Sequence, residues 1–476
     1  MATTISAVQR RQSGMARSSS ARARRRYIVA NICFAVFMWL VLIGTSPVQE
    51  WAFRGQIGEG DAANQVLHIV IFLALLLASG MPTRRELFCV PIGLAMLLAY
   101  CYLSVSWAIA PAISFRRITL TAIVVWVTFR QVDDLGPERT LRIVRYALLI
   151  LLAINFLMVV FSPYGIHTEV FGEDSSVVGD WRGIIPHKNV AGAACAFTIL
   201  LFTFDNRQVP RIMSALVIAA SAIFLYYTHS STSEISLVLA LIAGLAIRPY
   251  DANYRVVLGI VLLVVAGLAA EILFTNITVL TDILSDPGAL TGRGAIWPLL
   301  LEYASEHLWT GAGFSSFWQI GADSPIWTLT SGWVAIYAAH GHNGFLDLLV
   351  TIGLPGLILA VVALIVWPLI RLLLSQSIAK PRRSLLLAMI IFCTGHNLAE
   401  SSLLNAASMV QVFLLIAIAI TYRQSNASAG AHHGLRQKMT RLLRRPMRGP
   451  VRTSVRVPVR APIRGPARGA VRTARR

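Results

Sequence analysis

From residue 291 to residue 345 the chain reads TGRGAIWPLL LEYASEHLWT GAGFSSFWQI GADSPIWTLT SGWVAIYAAH GHNGF. It is the longest interior stretch without membrane character. It opens on Thr291-Gly292-Arg293 with Trp297 close behind, and it closes on His342-Asn343-Gly344, where a new apolar run begins. Between these lie Glu302, Glu306, His307 and the aromatic residues Trp309, Phe314, Phe317, Trp318 and Trp327. Apolar segments flank it on both sides. The stretch reads as an extramembrane loop folded back onto a membrane body and carrying part of a polar site.

Composition supports that reading. The 476 residues are 56% hydrophobic and 13% charged, against roughly 25% charged in an ordinary soluble domain. The charges fall in short clusters between long apolar runs, the pattern of a polytopic membrane protein with one helical domain. A spanning helix needs about 20 apolar residues, at ~1.5 Å each across a ~30 Å hydrocarbon layer. The candidates are 27–46, 64–80, 87–107, 117–129, 143–162, 189–204, 212–228, 234–248, 255–274, 344–367, 384–397 and 406–422. The expectation is therefore an all-α polytopic fold of about 12 transmembrane helices, with a large loop between the ninth and tenth. Segments 117–129, 234–248 and 384–397 are short, so they start earlier or are sheltered by neighbours.

The net charge of +20 belongs to the ends. Residues 1–26 hold seven Arg and no acid, and residues 422–476 hold 15 Lys and Arg and no acid. The divisions expected are a basic tail over 1–26, a transmembrane domain over 27–422 with outer loops 163–188 and 275–343, and a disordered Arg/Pro-rich tail over 423–476. From Arg444 onward Arg recurs every four residues among Pro446, Pro450, Pro458, Pro462 and Pro466. Proline at that density prevents a regular helix. Beside a membrane body, such tails suit anionic headgroups better than nucleic acid. The Arg22–Arg26 cluster and the base-bearing loops place both termini in the cytoplasm; Arg116-Arg117, at an outer boundary, is the exception. The five cysteines sit inside apolar runs without metal-ligand spacing and read as small buried apolar residues.

Four polar groups then gather on the outer side. Trp181-Arg182-Gly183 precedes His187-Lys188-Asn189 at the mouth of a helix, and helix N-termini with Arg and Lys favour anions. Interfacial snorkelling is the plainer account of these cations. Arg293 lies in the first turn of a helix beginning near Gly292. The dipole disfavours a cation there, so an anionic ligand or an acid such as Asp286, Glu302 or Glu306 must compensate it. His340-Gly341-His342-Asn343-Gly344 stands before a helix containing Asp347, and histidine is the side-chain type suited to proton transfer near neutrality, which makes His342 a candidate general base. The two His resemble a metal pair, but no acid or Cys nearby in sequence completes a site. His396-Asn397-Leu398-Ala399-Glu400-Ser401 is the fourth group, and Glu400 there needs a partner, for which the Arg residues of the first two groups are candidates. Glu234 is a weaker candidate of the same kind.

In this order the groups resemble the O-antigen ligase and polysaccharide-polymerase family of bacterial envelopes, nearest to its exopolysaccharide-polymerisation branch. The matching text also includes Gly353-Leu354-Pro355-Gly356 and covers about residues 180–402. The resemblance implies a metal-independent glycosyltransferase with a GT-C-like helical fold in the bacterial inner membrane and no cofactor. Its implied donor is an undecaprenyl-diphosphate-linked oligosaccharide, with a flippase and a chain-length-regulating co-polymerase as partners. Carried onto these positions, Arg182, Lys188 and Arg293 offset the charge of the leaving diphosphate. His342 is the expected base, with His187 second. Asn189, Asn343, Trp297 and Glu400 hold substrate or the catalytic groups. A ligase moving a finished glycan to another acceptor is the alternative within the class. A transporter of lipid-linked sugars is the alternative outside it, although most spans are uncharged through their centres. A membrane scaffold fits the polar groups least.

Overall fold

The computed structural model describes residues 24–45, 61–79, 84–168, 177–206, 209–257, 292–331 and 333–443, with a few isolated positions between 258 and 276. Helices α1 (Arg24–Leu42), α2 (Ala62–Ser79), α3 (Ile92–Leu103), α4 (Pro111–Leu135), α5 (Pro137–Phe161), α6 (Lys188–Thr203), α7 (Arg211–Thr228) and α8 (Ser231–Ala246) precede the long loop. The loop itself contributes α9 (Arg293–Glu306). Then come α10 (Gly344–Leu374, with one wide turn at Val362–Val366), α11 (Lys380–His396) and α12 (Met409–Leu443).

Among the described residues, α1, α4, α5, α7 and α10 are long and apolar enough to cross a membrane. The three segments that looked short resolve differently. The candidate 117–129 is part of a 25-residue helix. The other two begin earlier, at Ser231 and Lys380. Candidate 255–274 and residue Thr291 lie largely or wholly outside the described residues. The last helix runs on to Leu443, past the boundary at 422 expected for the tail, because the first proline beyond it is Pro446. Residues beyond 443, with the Arg/Pro repeat, lie outside the description, as do 1–23.

The interior is built on α6, α11 and α12. Every residue of α6 from Ala191 to Phe202 is buried, as is α12 from Met409 to Thr421. A helix apolar all round needs cover all round. α11 packs along α8, and α6 along α7. Small residues permit the close approach: a Cβ on Gly244 would lie 2.5 Å from the ring of Phe204, and one on Gly192 would lie 2.8 Å from Ser230. On the outer helices large apolar side chains face outward, Phe161 at 79% and Ile212 at 77% exposure, as lipid contact requires. All five cysteines are free, and four are buried.

The loop packs onto α10 through its own apolar cluster, which includes Ile296, Leu300, Tyr303, Phe317, Trp318 and Val350. Gly353-Leu354-Pro355-Gly356 makes this possible. Gly353 breaks α10 at φ 67°, and Pro355 has no N–H to give. The interrupted backbone turns to the loop: Leu354 N donates to Leu308 O at 2.7 Å, and Val350 O accepts from Ala312 N at 2.8 Å. Arg117, one of the two residues that break the charge pattern, reaches from α4 to the loop. Its Nη1 donates to the carbonyls of Ser315 (2.5 Å) and Trp318 (3.0 Å), and its Nη2 donates to Gln319 O (3.1 Å).

Candidate active site

Glu400 is the point on which three distant segments converge. It follows α11 in a turn organised by the buried Asn397. Asn397 Oδ1 accepts from the backbone of Ser402 and Leu403, and its Nδ2 donates to Cys393 O and Ser402 Oγ. This turn locks against the start of α10. Gly344 N donates to the carbonyls of both Asn397 and Glu400, and Asn343 N donates to Ser401 Oγ at 3.0 Å. A Cβ on Gly344 would sit 2.3 Å from Asn397 Oδ1, so only glycine fits.

Around the Glu400 carboxylate stand Arg293, Asn189 and His342. Arg293 Nη2 lies 3.1 Å from Oε1, and Nε and Nη2 also donate to Ala399 O. Glu400 therefore compensates this first-turn cation; Asp286 is outside the described residues. Asn189 Nδ2 donates to Oε1 at 2.6 Å. His342 Nδ1 is 3.4 Å from Oε2, within ion-pair distance but outside hydrogen-bond geometry. Burial works to raise the Glu400 carboxyl, but the facing His342 and the other histidines outweigh it and hold it well below the usual range.

The His340-Gly341-His342 turn is held from beneath. Asp347 accepts from Gly341 N and from Trp318 Nε1 (2.8 Å), while Trp297 Nε1 donates to Gly341 O (2.9 Å). His342 is strained at φ 48°, a conformation uncommon for residues other than glycine. Its backbone N donates to His340 Nδ1, and the two rings are 4.2 Å apart. Burial, then the neighbouring His342, lowers the His340 pKa to about 3.

The second group forms an adjoining cluster. Trp181 stacks on Tyr227 at 4.4 Å, and the buried Arg182 lies 3.9 Å over the Tyr164 ring with Nε donating to Tyr164 O. Gly183, at φ 66°, lets the chain pass Asn155, whose Oδ1 accepts from Ile184 N. His187 caps α6, its Nδ1 accepting from Asn189 N; burial is the largest cause of its pKa falling to about 4. Lys188 Nζ pairs with Asp180, which also meets His229 Nδ1 at 2.6 Å.

Arg293, His342, Asn189 and Glu400 thus come together, and His187 stands beside them on the same helix start. Arg182 and Lys188 face the adjoining cluster around Tyr164 and Asp180. Asn343 and Trp297, both partly buried, each spend one polar atom on the backbone. Asn343 Oδ1 caps α10 by accepting from Phe345 N and Leu346 N, and the Trp297 indole N–H is used on the turn. The apparent lack of a third metal ligand is corrected: the donor atoms of His340, His342 and Glu400 lie within 4.8 Å of one another. Asp180, His229 and Asp347 were missed as partners. Asp180 could have been noticed as the acid directly preceding Trp181-Arg182.

Comparison with curated proteins finds no match. Residues 214–361, which contain Arg293, Trp297, His342 and Asp347, match the family model described as O-antigen ligase, so this stretch of the chain is similar to an O-antigen ligase domain.

Proposed function

We propose that the protein is an inverting glycosyltransferase that polymerises undecaprenyl-diphosphate-linked repeat units into exopolysaccharide at the periplasmic face of the inner membrane, within a bundle of about 12 spanning helices. The observation that carries this reading is the convergence of Asn189, Arg293 and His342 on one largely buried carboxylate.

With Nδ1 turned toward Glu400, the Nε2 of His342 is the nitrogen placed to take a proton from the acceptor sugar hydroxyl. The hydroxyl oxygen attacks the anomeric carbon from the face opposite the leaving group. The carbon–oxygen bond to the lipid diphosphate breaks, and its electron pair leaves with the diphosphate. Glu400, ionised throughout, steadies the imidazolium. Arg293 opposes the charge growing on the leaving group. Lys188 spends one of its three N–H groups on Asp180, leaving the others for phosphate oxygens. A flippase supplies the donor, and a co-polymerase regulates chain length.

The His340–His342–Glu400 cluster serves proton transfer in this scheme. The Arg293 guanidinium, 3.1 Å from the carboxylate, opposes a second cation there. A chelator should therefore leave transfer unchanged; loss restored by added zinc would reassign the cluster as a metal centre.

The O-antigen ligase description of residues 214–361 favours a second reading, transfer of a finished glycan to a different acceptor. Purified protein given lipid-linked repeat units alone separates the two. A polymerase yields a ladder of multiples, whereas a ligase yields product only when the second acceptor is added. Movement of donor between leaflets without either product would make the chain a transporter.

A further inference from the structure

Helices α5, α6 and α11 connect the candidate active site to the opposite end of the bundle. His187 heads α6 and Asp205 follows its end; His396 ends α11 and Arg382 lies in its first turn. Sixteen residues of α6 separate the two ends by about 24 Å at the α-helical rise. At the far end a cavity of about 260 Å³ is lined by Glu138, Arg145, Asp205 and Arg382. A neighbouring cavity of about 350 Å³ shares Asp205 and Pro381 with it and adds Arg248 and Lys380.

The most informative group is Arg382, which is 4% exposed. Its Nε pairs with Asp205, and its Nη2 donates to Glu138 Oε1 at 2.6 Å. Its Nη1 is buried with no hydrogen-bond partner, a costly state for a charged donor. Arg145 is fixed alongside by Leu201 O (3.1 Å) and Asp205 O (2.8 Å). Across the two cavities four cations (Arg145, Arg248, Lys380, Arg382) face two acids (Glu138, Asp205), an excess of two positive charges. Glu138 is 67% exposed, so solvent screens much of its charge.

We propose that the two adjacent cavities bind a phosphate-type anion, either the headgroup of an anionic lipid or free phosphate. Arg382 Nη1 donates to it, and Arg145, Arg248 and Lys380 supply the surrounding charge. A charged N–H donor suits a phosphate oxygen, and basic pockets between membrane helices take lipid headgroups. The proposal uses none of the groups assigned to glycosyl transfer.

The test is native mass spectrometry of the full chain released from detergent, with added phosphatidylglycerol, phosphatidylcholine or inorganic phosphate. Arg248 and Lys380 are exposed, so Arg248→Gln with Lys380→Gln should leave folding intact. Each lost charge is expected to weaken anion binding about fivefold, and Arg382→Gln should weaken it further where it folds. Retention of phosphatidylglycerol over phosphatidylcholine, reduced in the double variant and untouched by phosphate, assigns the headgroup. Binding of phosphate alone, also reduced in the double variant, assigns the free anion. Equal retention of the two lipids with no phosphate binding, or wild-type binding by the double variant, overturns the proposal.

Discussion

Arg293 Nη2 and Glu400 Oε1 lie 3.1 Å apart across 107 residues of sequence. Each holds the other where it is used: the carboxylate relieves a cation at a helix N-terminus, and the guanidinium gives the carboxylate a fixed hydrogen-bond donor. Replacing Glu400 by Gln keeps its shape but removes its charge. Loss of a charged hydrogen bond of about 1.5–3 kcal/mol should lower transfer roughly 10–100-fold. A double-mutant cycle with Arg293→Ala should show that the two losses do not add.

Asp180 holds Lys188 and His229 together beside the site. Asp180→Asn should reduce transfer by about the same 10–100-fold through a rise in donor KM, and should also lower thermal stability because it leaves the largely buried Lys188 cation without its counter-charge. A fall confined to kcat would place Lys188 in the chemical step instead.

The interlock between the two motif turns depends on glycine. Gly344→Ala pushes a Cβ against Asn397 and should cost about 1–3 kcal/mol as overpacking. Gly183→Ala adds left-handed strain to a contact of 2.4 Å with Asn155 Oδ1 and should cost more. Thermal unfolding of the two variants in detergent checks the order.

Acid sensitivity follows from three depressed histidines. His167 and His340 are lowered to about 3 and His187 to about 4, burial being the largest cause in each. Below about 6.5 the unfolded chain takes up protons that the folded chain refuses. Their stabilising share is complete above about 6.5 and is lost as pH falls through about 4 for His187 and about 3 for His167 and His340. Melting temperature should decline over that window, and His340→Gln should flatten the slope.

Much of the fold was legible because lipid demands long apolar runs, and these run unbroken in the sequence. The ends were harder. Segment 117–129 understated α4, since its polar end residues, Arg130 and Asp134, are satisfied by each other inside the protein at 3.2 Å. The motif residues of the site could be named because Arg, His and Glu are out of place beside membrane segments. The pairing of Glu400 with an Arg of the first two groups was legible too, and the structure picks out Arg293 as that Arg. Glu302 and Glu306 were nearer Arg293 in sequence than Glu400, and the turn fixed by Asn397 is what brings Glu400 to it. The cap that Asn343 Oδ1 makes and the bond that the Trp297 indole donates are invisible until the backbone they serve is placed.

The most direct measurement reconstitutes the purified chain in liposomes with a polyprenyl-diphosphate-linked oligosaccharide and sizes the products, alongside Arg293→Ala and His342→Ala. The account predicts a ladder of repeat-unit multiples from the wild type and none from either variant, with donor still bound by His342→Ala. A ladder of undiminished length and yield from both variants would contradict it.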